Sequence, residues 1–150
     1  MLNISSENLE RICNHSERDY PEECCGLLIG KLKELTKIVY EVWPQRNSWG
    51  EDYSWQGENS QFDKRRRFTI APQDLLRAQK KARELHLAII GIYHSHPDHP
   101  AQPSEFDRAI AWSEYSYIIV SVPQGKSGDL FSWVLDEDGQ FQRETIEHIP

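Results

Sequence analysis

The chain has 150 residues, 38% of them hydrophobic, with a formal net charge of −7; this length fits one domain able to bury about 70% of its unfolded surface. A pI near 5.3 excludes the basic footprint of a nucleic-acid-binding domain, and the short run Lys64-Arg65-Arg66-Arg67 reads as a solvated or partner-facing loop. No apolar run approaches the ~20 residues of a membrane span, the start lacks the order of a signal peptide, and three cysteines without a C-x-x-C spacing indicate neither a disulfide framework nor a cysteine metal site, so a soluble, cytoplasmic protein with no membrane partner is expected.

Ser5-Ser6-Glu7 caps a helix over residues 5–19, with Leu9, Ile12, Cys13 and Ser16 at helical spacing. Tyr20-Pro21 ends it, and Glu22 to Gly30 passes from two carboxylates into a glycine-bounded apolar run, the pattern of a buried strand with acids at its mouth. Residues 35–43 form a second strand, close enough for a hairpin. Residues 44–67 show no sustained periodicity yet contain Trp49, Tyr53, Trp55 and Phe62; a segment this long either covers a substrate channel or is a mobile insertion with locally packed rings. Phe68-Thr69-Ile70 is a short strand candidate, and Pro72 with Asp74 opens a helix whose buried stripe is Leu75, Ala78, Ala82 and Leu85. Leu87 to Tyr93 is a continuous apolar run, as in a central strand covered on both faces, ending at His94. A helix over 104–114 follows, then a strand over 117–122, and two alternating runs around Asp136-Glu137-Asp138-Gly139 close the chain as a meander. With no repeat or second hydrophobic nucleus, the expected architecture is a single α/β (α+β) domain with a mixed sheet flanked by helices.

The chemistry concentrates in His94-Ser95-His96-Pro97. In an extended strand His94 and His96 project to one face, roughly 6–7 Å apart along the chain. Ser104 is placed as a helix N-cap with Asp107 in the first turn, which returns a carboxylate toward the imidazoles. Two imidazoles, one carboxylate and a vacancy for water is the ligand set of a catalytic zinc.

Glu23-x-Cys25-Gly26, His94-Ser95-His96-Pro97 and Ser104-x-x-Asp107, with seven residues between His96 and Ser104, resemble the JAMM motif of MPN-type (Mov34/PAD-1) zinc metallopeptidases. The likeness extends to the Leu-Leu-Ile-Gly strand, the Pro-led helix, the Gly-Ile-Tyr-His-Ser-His-Pro strand and the Trp133 strand before the Asp-Gly turn, and is closest to short stand-alone bacterial members, some of which act on ubiquitin-like sulfur-carrier proteins. The resemblance implies a cytidine-deaminase-like fold, one Zn2+ per chain held by His94, His96 and Asp107, Ser104 bonding the reacting oxygen, and Glu23 as the base. Glu22 competes for that role, but the motif sets the acid three residues before the glycine, and Glu22 faces away if the segment is already extended. The implied activity is hydrolysis of an amide bond after the Gly-Gly tail of a ubiquitin-like or sulfur-carrier protein. A non-catalytic MPN binding module and a small-molecule amidohydrolase are the alternatives, and a homodimer is left open.

Outside this set the expectations are structural. Ser95 faces away from the ligands and is assigned to packing or hydrogen bonding; Cys24 and Cys25 fill a buried strand. His15, His86 and His148 are assigned structural or exposed positions, and His99 a surface turn near enough to the site to bind substrate.

Overall fold

The structure is a computed structural model that describes residues 1–51 and 62–149. In chain order these form β1 (Leu2–Ser5), α1 (Ser6–Asp19), β2 (Cys25–Lys33), β3 (Thr36–Gln45), α2 (Pro72–Glu84), β4 (Ala88–Pro97), α3 (Glu105–Ile110), β5 (Ser116–Val122), a single 3-10 turn, β6 (Leu130–Leu135), β7 (Phe141–Glu144) and β8 (Ile146–Ile149). The eight strands of the described residues make one mixed sheet in the order β7-β6-β5-β4-β2-β3-β1-β8, flanked by helices as expected.

Each helix is set by the residues that begin it. Ser5 caps α1 by accepting the Asn8 amide at 3.1 Å, and Pro72 stands in the first turn of α2, where its missing N–H costs nothing. The apolar stripe of α1, Leu9, Ile12 and Cys13, packs on Leu28, Tyr93, Ile118 and Val120, while Ala78 and Ala82 of α2 pack on Leu27 and Ile29. Alternate residues of β2 therefore face opposite helices, and the central strands are buried on both sides.

Several boundaries differ from the sequence reading, each for a local reason. β2 starts at Cys25 with the two acids at its mouth as expected, Glu23 spending its amide on the Lys64 carbonyl at 2.7 Å, but it runs past Gly30 to Lys33. Phe68 to Ile70 is not a strand: the Thr69 carbonyl accepts from the Ser48 amide at 2.8 Å and the Thr69 amide bonds the Asn47 side chain at 3.2 Å. α3 stops at Ile110 instead of 114, and the Trp112 amide turns to the Tyr117 hydroxyl at 2.7 Å. β1 and β8 were not anticipated; each has four residues, too few for a periodicity to register. In the long connection after β3, Trp49 is buried, its indole N–H donates to the Phe62 carbonyl at 2.8 Å, and its ring meets Phe106 edge-on. Tyr53 and Trp55 lie outside the described residues.

Gly26 shows how tightly the site end of the sheet is packed. A Cβ there would overlap the Tyr93 ring, which is wholly buried and held by its hydroxyl 2.7 Å from His15 Nδ1. Gly26→Ala is expected to cost about 1–3 kcal/mol, read as a lowered denaturant midpoint at unchanged slope; an unchanged midpoint would show that Tyr93 can yield.

Candidate metal centre

β4 reaches the site through a bulge. Its pairing with β2 matches Leu28 to Gly91 and Ile29 to Ile89, skipping Ile90, so Ile89 and Ile92 pack toward α2 while Ile90 and Tyr93 pack toward α1. From Ile92 onward, strand alternation sets His94 and His96 on one face and Ser95 on the other. The strand continues beyond the apolar run through both histidines to Pro97, with His94 opposite Ile119 and His96 opposite Ser121 of β5. Ser95 takes the hydrogen-bonding role expected of it, its Oγ accepting the Cys24 amide at 2.8 Å.

The two imidazoles meet the carboxylate of α3. His94 Nε2 and His96 Nε2 are 3.2 Å apart, and they lie 3.3 Å from Asp107 Oδ1 and Oδ2 respectively. All three residues are buried, with their ligand atoms within 4.8 Å of one another. His96 Nδ1 sits 2.8 Å from the Pro100 carbonyl, an acceptor only, which sets the ring proton on Nδ1 and leaves the Nε2 lone pair facing the cluster. Lone pairs crowded this closely against a carboxylate are reconciled by a cation, so the donors fit one metal ion. His94 is oriented by packing: Phe68 stacks on its ring at 4.5 Å and 25°, and its Nδ1 is buried with no hydrogen-bond partner among the described residues. Burial pushes the His94 pKa down, against the pull of Asp107, so the ring is held in its neutral, ligating form.

Asp107 and Ser104 form a reciprocal capping box at the start of α3. The Ser104 amide donates to Asp107 Oδ2 at 2.9 Å, and the Asp107 amide donates to Ser104 Oγ at 3.1 Å. Burial alone would raise the Asp107 pKa, but the two histidines outweigh it and hold the carboxyl well below the usual range.

Glu23 is buried, whereas Glu22 is exposed. Burial, followed by the charge of Asp107, drives the Glu23 pKa well up, while Arg67 and Arg66 pull it partly back. Asn47, which the sequence reading did not single out, donates from Nδ2 to the carbonyls of Glu23 at 3.0 Å and Arg67 at 3.1 Å. Glu23, His96 and Ser104 line one cleft of about 240 Å³ together with Arg66, Arg67 and His99. The fold thus gathers all five candidate residues; Cys24 and Cys25 are wholly buried beside them. Neither the stacking of Phe68 nor the bridging by Asn47 carried a sequence signal, because stacking and side-chain-to-backbone contacts are not encoded in a motif.

The model of prokaryotic homologs of the JAB domain matches residues 5–136. The chain belongs to the prokaryotic JAB family. A protein of Desulfitobacterium hafniense with a solution structure is 27% identical to this JAB chain at a TM-score of 0.80, covering 99% of this chain and 93% of that one. A Salinibacter ruber protein is 32% identical at a TM-score of 0.72, covering 99% and 92%. A JAB1/MPN domain protein of Archaeoglobus fulgidus shares the fold at a TM-score of 0.59 and 18% identity, with both chains covered over 100%. Among curated proteins, the tail tip assembly protein K of Escherichia phage N15 is 29% identical over 128 residues, 81% of this chain and 42% of that protein. The chain therefore spans less than half the length of this curated relative.

Two measurements follow from this geometry. Purified protein is expected to carry about one metal ion per chain, and His96→Ala to lose nearly all of it in elemental analysis; full retention would remove these residues as ligands. For Glu23 the sign follows from its raised folded pKa. The metal-free folded protein binds this proton more tightly than the unfolded chain, so stability is lost as pH rises above the ordinary glutamate value of 4.5. Glu23→Gln should melt higher than wild type in chelator at pH 8, with the gap closing near pH 4. Equal melting temperatures at pH 8 would show that ionising Glu23 carries no cost.

Proposed function

We propose that this protein is a zinc-dependent hydrolase of the JAMM type, cleaving an amide bond after the C-terminal Gly-Gly tail of a ubiquitin-like or sulfur-carrier protein. The reading is carried by one observation: a buried His-His-Asp set opens through His96 onto the cleft lined by Glu23, a buried carboxyl group whose pKa is raised. Two nitrogens and one carboxylate suit zinc. When bound by His94, His96 and Asp107, zinc would act as a Lewis acid and make water a nucleophile near neutral pH.

The remaining work belongs to the chain's own residues. Glu23 receives the proton that water gives up and returns it to the leaving nitrogen, a task suited to a carboxyl whose pKa has been raised toward neutrality. Ser104 Oγ already accepts from the Asp107 amide, so its own proton is available to donate to the carbonyl oxygen as charge develops there. The same capping box that holds Asp107 thus aims Ser104. A Gly-Gly tail suits the site because glycines pass where larger side chains would clash, allowing the main chain to lie extended against the protein.

A second reading has its own support in the tail tip assembly protein, whose name describes assembly: the domain would grip a partner without turnover. Incubating zinc-loaded protein with carrier proteins extended beyond their terminal glycines, and weighing the products by mass spectrometry, separates the two. Hydrolysis is expected to be abolished by chelator and reduced by several orders of magnitude in Glu23→Gln with zinc retained, while Glu22→Gln stays near wild type. Tight, metal-independent binding with no mass loss would support the assembly reading.

A further inference from the structure

The turn that follows β4 holds one metal ligand and is itself held from outside the site. Pro97-Asp98-His99-Pro100 reverses the chain directly after His96, so that the Pro100 carbonyl comes back to His96 Nδ1 at 2.8 Å. Asp98 makes the reversal by taking a left-handed backbone, φ 59°, a conformation costly to most residues but adopted more readily by Asp and Asn. Its exposed side chain fastens the turn at two points. Oδ2 accepts the Tyr20 hydroxyl at 2.7 Å, and Oδ1 accepts the Gln124 amide at 2.8 Å. The backbone on either side is tied to β5: the Asp98 amide donates to the Val122 carbonyl at 3.1 Å, and Ser121 Oγ donates to the His99 carbonyl at 2.6 Å.

The two side-chain anchors come from elements that do not line the cleft. Tyr20 closes α1, and Gln124 lies in the 3-10 turn after β5. These elements are also fastened to each other. Glu17, three residues before Tyr20, accepts both the amide of Ser127 at 2.8 Å and its hydroxyl at 3.0 Å, and a Cβ at Gly125 would stand 3.5 Å from the Tyr20 ring. The end of α1 and the loop after β5 thus form a clip that closes on Asp98. A carbonyl can orient a ring only as well as it is itself held. An imidazole that loses this acceptor is free to rotate and to move its proton to Nε2, where it blocks ligation.

We infer that Asp98 and Tyr20 are positioning residues of the metal centre: through the turn they hold the Pro100 carbonyl on His96 and keep the Nε2 lone pair directed at the metal. Neither touches the reacting atoms. The direct hydrogen-bond partners of metal-ligating histidines are worth about 10–100-fold in metal affinity, and the clip, acting through such a partner, carries part of that effect. The inference rests on the ligand set proposed above and not on any substrate, so zinc alone tests it.

Zinc affinity is measured by competition with a chelator, in protein shown to be folded by circular dichroism. Asp98→Gly, which keeps the left-handed backbone but removes both side-chain bonds, should bind zinc about tenfold more weakly. Tyr20→Phe, which keeps the ring and removes only the hydroxyl, should lose about threefold. Asp98→Asn should restore wild-type affinity, because its Oδ1 can accept the Gln124 amide while its Nδ2 donates to the Tyr20 oxygen. In zinc-loaded protein the His96 Nδ1 proton, followed by NMR, should exchange with water faster in Asp98→Gly and at the wild-type rate in Asp98→Asn. Asn8→Ala serves as a control for lost stability: it removes a bond from Nδ2 to the Tyr40 carbonyl at 3.3 Å at the other end of α1 and should leave zinc affinity unchanged. Unchanged affinity in Asp98→Gly, an equal loss in Asn8→Ala, or failure of Asp98→Asn to restore binding would overturn the inference. Should Asp98→Gly not fold, Tyr20→Phe decides alone, and unchanged affinity and proton exchange there would overturn it. Wild-type protein that binds no zinc would overturn the ligand set itself, and this inference with it.

Discussion

The geometry of the centre depends on one buried carboxylate serving several partners at once. Asp107 accepts the Ser104 amide, faces both imidazoles and raises the proton affinity of Glu23. Such a group is tolerable inside a protein because its oxygens are met by the Ser104 amide and the two imidazoles. It also explains why α3 can be short. Six residues form too little helix to persist alone, but the capping box supplies the first turn and the packing of Phe106 against Trp49 holds its face.

Around that carboxylate the strands act as rulers. The bulge at Ile90 decides which face of β4 the histidines occupy, and the pairing of Cys25 with His94 sets where β2 delivers Glu23. Phe68 orients one imidazole by stacking, and the Pro100 carbonyl orients the other by hydrogen bonding. The two imidazoles are therefore held by different forces, one by ring packing and one by a hydrogen bond to a carbonyl.

Most of the site could be read from the sequence because strand alternation and helix capping act over a few residues. His94-Ser95-His96 and Ser104-x-x-Asp107 are local patterns whose spacing implies a geometry, and Ser104 caps α3 as its position suggested. The fold class was legible for the same reason, from apolar runs and turn residues. What escaped depends on distant partners. Phe68 looked like a strand residue and proved to be a stacking partner for His94; Asn47 sat in an unpatterned stretch yet ties Glu23 to Arg67. Tyr20 was legible only as the end of α1, since nothing local shows that its hydroxyl reaches Asp98 across the fold.

β7 and β8 stand at opposite ends of the strand order, yet only Thr145 separates them in the chain. One residue spans under ~4 Å, so the two ends of the sheet are drawn together and the sheet curls around α1. The closing contact is the parallel pairing of β8 with β1, Leu2 opposite Ile146, which joins residues from the two extremes of the described chain. Contacts of that sequence separation form late and slowly, after the entropy of a long loop has been overcome. During synthesis the edge of β1 stays open until β8 has emerged, and until then it is available for pairing with a neighbour.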